Sequence, residues 1–182
     1  MRKKPKPISV IDTNVALVAN LAASAQTTEI LPVDILKCVE IIEETVANKS
    51  IVIDDNNEIV NEYSHKLSFK GQPGVGDRFF KWLHDNQYCL PASQRVPIHR
   101  SGNSYQEFPD ISELSEFDLS DRKFVAVSNA HPLHPPIYQA TDSKWWGWKD
   151  ALSSIGISVV FLCEEYIKEK YKKKIQDKRG EK

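Results

Sequence analysis

The chain lacks a net charge, a long apolar run, a paired-cysteine motif and a phosphate-binding glycine loop, and each absence removes a class of function. Its 24 Lys+Arg against 25 Asp+Glu leave a net charge of −1, which argues against a uniformly basic nucleic-acid clamp. No later stretch approaches the ~18–20 apolar residues of a membrane span. The run Ile8–Ala25 follows a basic start, but Asp12, Asn14 and Asn20 interrupt it, which does not suit the apolar segment of a signal peptide. Cys38, Cys89 and Cys163 are odd in number and form no CxxC, as expected of free or buried thiols in a reducing compartment. A cytoplasmic protein is expected. Gly71, Gly74 and Gly76 follow no strand and precede no Lys-Ser/Thr, so they read as a turn. No internal repeat and no Ser/His/Asp or Cys/His arrangement stands out.

The near-zero charge hides a segregation. Residues 1–7 carry +4, residues 168–182 carry +5, and the body between them carries −10. The 182 residues fit one domain of ordinary size. The expected organisation is a basic lead over 1–7, a domain over 8–165 and a basic helical tail over 166–182.

Apolar patterning alternates between short and long periods. Strands are expected at Ile8–Ile11, Ile51–Ile53, Ile137–Ala140 and Ile157–Leu162. Between them, helices are expected at Val15–Ala25, Pro32–Asn48, from Asp54 through Leu67, over Asp77–Asn86, from Ser120 and over Ser143–Ile155. The apolar stripe of the second helix is Ile35, Leu36, Val39, Ile42 and Val46. Residues 88–110 read as a long loop, with room for short strands. Strands alternating with helices predict an α/β fold whose mainly parallel central sheet, of about four to five strands, is covered on both faces.

The informative pattern is where the carboxylates fall. Asp12 ends the first strand and Asp142 the third, and sites in open α/β sheets form beyond the carboxyl ends of strands. Glu62 and Asp121 lie on helices able to turn toward the same crevice. Four converging carboxylates repel one another unless a cation compensates them, and hard oxygen ligands suit Mg²⁺ or Mn²⁺.

Asp12-Thr13-Asn14-Val15 after the first strand resembles the opening motif of PIN-domain nucleases. Ile59-Val60-Asn61-Glu62-Tyr63 is similar to that family's helix with the second acidic residue. Leu119–Val127 resembles its third motif, carrying Asp121, and Ala140-Thr141-Asp142-Ser143 followed by Trp145 resembles its fourth. The motifs arrive in the family's order and span nearly the whole body. The resemblance implies a three-layer α/β/α domain and a ribonuclease that uses a metal-activated water, with Mg²⁺ or Mn²⁺ as cofactor. RNA is the implied substrate and DNA the alternative. A toxin restrained by an antitoxin, a defence nuclease and a homodimer are settings it allows, as is a silent RNA- or protein-binding module. Asp12, Glu62, Asp121 and Asp142 are then the metal ligands. Thr13, Asn14, Thr141 and Ser143 support them.

Two assignments stay open. Glu58 shares a helical face with Glu62 at i, i+4, and Asp118 precedes Asp121 by three. Arg122, Lys123 and Trp146 are candidate nucleic-acid contacts, whereas Trp145 and Trp148 share a face with Leu152 and read as core. A phosphatase with an aspartyl nucleophile wants a second acid two residues after Asp12, where Asn14 stands. His131-xx-His134 has metal-ligand spacing, but Pro132, Pro135 and Pro136 forbid a helix there, so a turn with two solvated histidines is expected.

Overall fold

A computed structural model describes residues 7–180; residues 1–6, the bulk of the expected basic lead, and residues 181–182 of the tail lie outside the described part. The fold is mixed α/β. Strands β1 (Val10–Ile11), β6 (Ile137–Gln139) and β7 (Val159–Phe161) form a parallel sheet in the order β1-β6-β7. A separate parallel pair joins β2 (Ile53–Asp54) to β3 (Arg95–Val96). One bridge between Ser9 and Ile51 links this pair to β1. The loop over 88–110 carries β3 and an antiparallel hairpin of β4 (Arg100–Ser101) and β5 (Ser104–Tyr105).

Seven α-helices complete the described chain: α1 (Thr13–Asn20), α2 (Pro32–Asn48), α3 (Glu58–Lys66), α4 (Val75–Asn86), α5 (Arg122–Ala130), α6 (Lys144–Ser154) and α7 (Glu164–Gly180). The bounds of α2 match the sequence expectation because both ends have chemical stops. Pro32 begins it with φ already set, and Lys49 closes it in the left-handed region at φ 51°. Its stripe is only partly core. Ile35 and Ile42 are buried, but Leu36 is 62% exposed, because it lies one position beyond the arc that packs inward. The start of α3 is fixed by Asp54, whose carboxylate accepts from the Glu58 and Ile59 backbone N–H groups at 2.7 and 2.9 Å, as a capping side chain does.

The sheet sits in one core with the helices. Val10, Ile11, Ile137, Phe124, Val125 and Trp145 are all buried there. Tyr63 of α3 donates its hydroxyl to the Ile11 carbonyl at 2.5 Å, tying that helix to the residue before Asp12. Cys38 of α2 and Cys163 before α7 are buried, while Cys89 is exposed. His131 departs from the solvated turn expected of it: it is buried, with Nε2 2.8 Å from the Ser93 carbonyl oxygen. Among the described residues, no helix is long and apolar enough to cross a membrane.

Helix α1, which Asp12 caps, is seated against α4 at Gly76. A Cβ there would lie 2.0 Å from the Ala16 carbonyl oxygen, a backbone atom with no freedom to move alone. Gly76→Ala is therefore expected to destabilise the protein by roughly 1–3 kcal/mol, read as a lower urea midpoint. An unchanged midpoint would show that α1 and α4 approach less closely.

Candidate functional site

Parallel pairing brings the two strand-end aspartates together. Ile11 is in register with Tyr138, and the Asp12 N–H donates to the Tyr138 carbonyl at 2.9 Å. Asp12 and the turn after β6 therefore leave the same edge of the sheet. Asp12 is 2% exposed and caps α1, its carboxylate accepting from the Asn14 N–H at 2.8 Å.

Asp142 lies in the turn between β6 and α6, flanked by half-buried Thr141 and buried Ser143. Gln139 shapes that turn: its Oε1 accepts from the Ala140 N–H at 2.7 Å and from the Asp142 N–H at 3.3 Å. Asp142 in turn accepts from the Lys144 N–H at 2.9 Å. Asp121 stands at the start of α5, and the buried Trp145 indole donates to its Oδ2 at 3.0 Å. Sequence patterning identified Trp145 as core but missed this orienting bond, and it missed Gln139 altogether.

These carboxylates feel one another. Burial, then the charge of Asp121 and more weakly that of Asp142, push Asp12 up to about 8, against the hydrogen bonds from Asn14. Burial also pushes Asp121 up to about 6, with Asp142 and Asp118 adding to the rise and the Trp145 bond and Lys123 opposing it. Both shifts reflect first the cost of burying a carboxylate and then the nearby acidic charges, so each group holds its proton more tightly than usual.

Glu62 is held differently. It accepts from the Lys123 ammonium at 3.3 Å, and that ammonium also bonds the Ser120 carbonyl oxygen. The Lys123 side chain is only 9% exposed, so it is not the surface contact expected of it. It lies four residues before the buried Val127 on α5, and that spacing was the available signal.

The open assignments resolve by partner. Glu58 binds the Arg100 guanidinium through two bonds of 2.7 and 2.6 Å and accepts from the Tyr105 hydroxyl at 3.1 Å. Those bonds hold its pKa down and commit it to the β4–β5 hairpin. Asp118 pairs with Lys144 at 2.6 Å and accepts from Ser120 N–H and Oγ, which brings its pKa down to about 2. Arg122 is also spent inside the fold. It donates to the carbonyls of Phe117 and Ser115 and to the Ser104 hydroxyl, and its guanidinium lies 4.5 Å from the Phe108 ring centre. Trp146 packs on Phe161, with Lys149 and Lys168 over its ring. Neither Arg122 nor Trp146 is a free nucleic-acid contact.

Among the described residues, no three His, Cys, Asp or Glu side chains form a group that encloses a metal ion. Three observations nonetheless fit a hydrated hard cation. The donors are carboxylate oxygens, two of them are costly to ionise where they stand, and the Thr13 hydroxyl beside Asp12 is buried with no partner. Mg²⁺ commonly keeps several waters and takes only one or two carboxylates directly.

The shift on Asp12 has a measurable consequence. From its ordinary value of 3.8 up to about 8, the folded protein keeps a proton that the unfolded chain has released, so metal-free stability falls as pH rises through that window. Asp121 acts in the same sense between 3.8 and about 6. In EDTA, Asp12→Asn should stabilise the protein more at pH 8 than at pH 5, by roughly 2–4 kcal/mol, measured by chemical denaturation. Equal gains at the two pH values would place Asp12 in an environment without that burden.

Comparison of the chain with protein-family models, with curated proteins and with solved structures finds no match.

Proposed function

We propose that the protein is a PIN-like, divalent-metal-dependent endoribonuclease. The observation that carries this reading is the buried Asp12 at the carboxyl edge of a parallel sheet, with half-buried Asp121 and Asp142 acting on it, and with both Asp12 and Asp121 raised in pKa. The wider architecture supports it as well. The three strands β1-β6-β7 run parallel, and one bridge between Ser9 and Ile51 sets the separate parallel pair β2–β3 beside them. Helices α1, α2 and α4 pack together, while α5 and α6 contact the sheet strands.

In this reading Asp12, Asp121 and Asp142 would hold Mg²⁺ or Mn²⁺, in part through retained waters. When bound, such an ion lowers the pKa of a coordinated water and polarises a phosphate oxygen. The chain's own groups do the positioning. The Asn14 N–H and the Trp145 indole fix two of the carboxylates, and Gln139 sets the backbone that presents the third. The Thr13 hydroxyl, buried without a protein partner, would be available to bond a metal-bound water. The phosphodiester itself is recognised through its negative charge, so substrate binding weakens with salt.

A second reading, a binding module without turnover, draws on the dispersed placement of the carboxylates and on the pairing of Glu62 with Lys123. Cleavage separates the two. The protein is expected to nick single-stranded RNA with Mn²⁺ or Mg²⁺, to stop in EDTA, and to lose at least about a hundredfold in rate in Asp12→Asn/Asp142→Asn, as removal of metal ligands or their support does. Full activity in that double variant, measured on labelled RNA beside a matched DNA strand, would exclude the nuclease reading; faster cleavage of the DNA would reassign the substrate.

A further inference from the structure

Helices α6 and α7 and the loop before α5 line a cavity of about 790 Å³, within the size range of small-molecule sites. Its walls are aromatic and aliphatic, made by Trp148, Tyr171 and Ile175. Trp148 is half-buried where Trp145 of the same helix is buried, and Phe117 packs on it with ring centres 6.1 Å apart. Tyr171 lies over Gly147, where a Cβ would come within 2.7 Å of its hydroxyl oxygen and 3.1 Å of two ring carbons. The missing Cβ is what lets that ring settle on the first turns of α6.

The rim carries both signs of charge. Asp118 and Lys144 line it as a pair 2.6 Å apart. Glu116, Asp177 and Lys174 also line it and make no ion pair among the described residues. Two unpaired carboxylates against one unpaired ammonium leave no excess positive charge to hold a phosphate group inside. A single excess negative charge is equally poor attraction for a polycation. Aromatic walls with acceptors and a donor at the rim suit a flat, neutral ring that carries donors and an acceptor on its edge, which is how unstacked bases are recognised.

We propose that this cavity binds a guanine nucleoside unit, its base lying against Trp148 and Tyr171. Guanine presents two adjacent N–H donors, N1–H and the N2 amine, which a single carboxylate accepts together, and a carbonyl oxygen to which an ammonium donates. Glu116 and Asp177 supply the acceptor and Lys174 the donor. Adenine turns the lone pair of its N1 toward the same carboxylate and is repelled. The rim reaches the sheet edge through Lys144, whose N–H donates to Asp142 at 2.9 Å. A role in choosing where RNA is cut rests on the nuclease reading above; guanosine binding itself does not.

The test is titration of guanosine, inosine and adenosine into the full chain in EDTA, followed through the ¹⁵N-labelled indole N–H signals. Trp148→Phe assigns the Trp148 signal, and that of Trp82 on α4 reports whether each variant stays folded. Guanosine is expected to shift the Trp148 signal saturably, with weaker binding of inosine, which lacks the N2 amine, and weakest binding of adenosine. Tyr171→Ala should weaken guanosine binding about tenfold, the scale of one lost aromatic stack. Gly147→Ala, which favours the helix while displacing the Tyr171 ring, should weaken it as well. Glu116→Gln/Asp177→Asn should erase the preference for guanosine over adenosine. No saturable shift of the Trp148 signal, equal binding of the three nucleosides, or unchanged guanosine binding in folded Tyr171→Ala would each overturn the proposal. Tighter binding of arginine amide than of guanosine would assign the cavity to a cation and overturn it too. The titration reads no cleavage and needs no metal, so its failure leaves the nuclease reading standing, and failure of RNA cleavage leaves the guanosine result standing.

Discussion

The parallel pairing of β1 with β6 is the constraint on which the site depends. A single backbone hydrogen bond, from the Asp12 N–H to the Tyr138 carbonyl, ends one strand beside the other and fixes where both chains turn away. Two short strands, β1 of two residues and β6 of three, cannot hold that register alone. Buried neighbours supply the remainder: α5 packs on both strands, Tyr63 ties α3 to Ile11, and Gly76 lets α4 come close enough to α1 to hold the helix that Asp12 caps. Much of the core therefore converges on the placement of one carboxylate.

That carboxylate is costly to bury. An aspartate with almost no solvent access and other acids nearby is destabilising unless it is protonated or compensated. Three of the candidate acidic residues are compensated by a neighbouring cation. Arg100 neutralises Glu58, Lys144 neutralises Asp118, and Lys123 neutralises Glu62. Asp12 has no such partner among the described residues. A carboxyl group without a cation is left buried at one place on the sheet edge, and this contrast separates it from an ordinary acidic surface.

Much of this was legible in the sequence, and what was not has physical causes. Helix α2 could be read to the residue because Pro32 and Asn48-Lys49 mark its ends. Asp12 and Asp142 could be found because a short apolar strand ending in Asp is a local pattern. Glu58 and Glu62 could not be separated, since residues four apart share a helical face and their different partners, Arg100 and Lys123, both come from distant parts of the chain. Arg122 and Lys123 suggested a basic surface for nucleic acid. Whether a long cationic side chain folds back onto carbonyls and rings depends on what the loop before α5 presents, which a linear pattern does not reveal. Gln139 left no signal because its function is to hydrogen-bond the turn that follows it. The β2–β3 pairing was missed for a similar reason: two-residue strands have no period to detect.

The strap formed by Arg122 gives the long loop a mechanical role. One guanidinium grips Phe117, Ser115, Ser104 and the Phe108 ring from a position adjacent in the chain to Asp121. Hairpin, loop and the first turn of α5 are thereby joined as one lever with its short arm at the acidic cluster. The hairpin tip, some twenty residues away along the chain, is thus tied to the helix start that carries Asp121 through side-chain contacts as well as through the backbone.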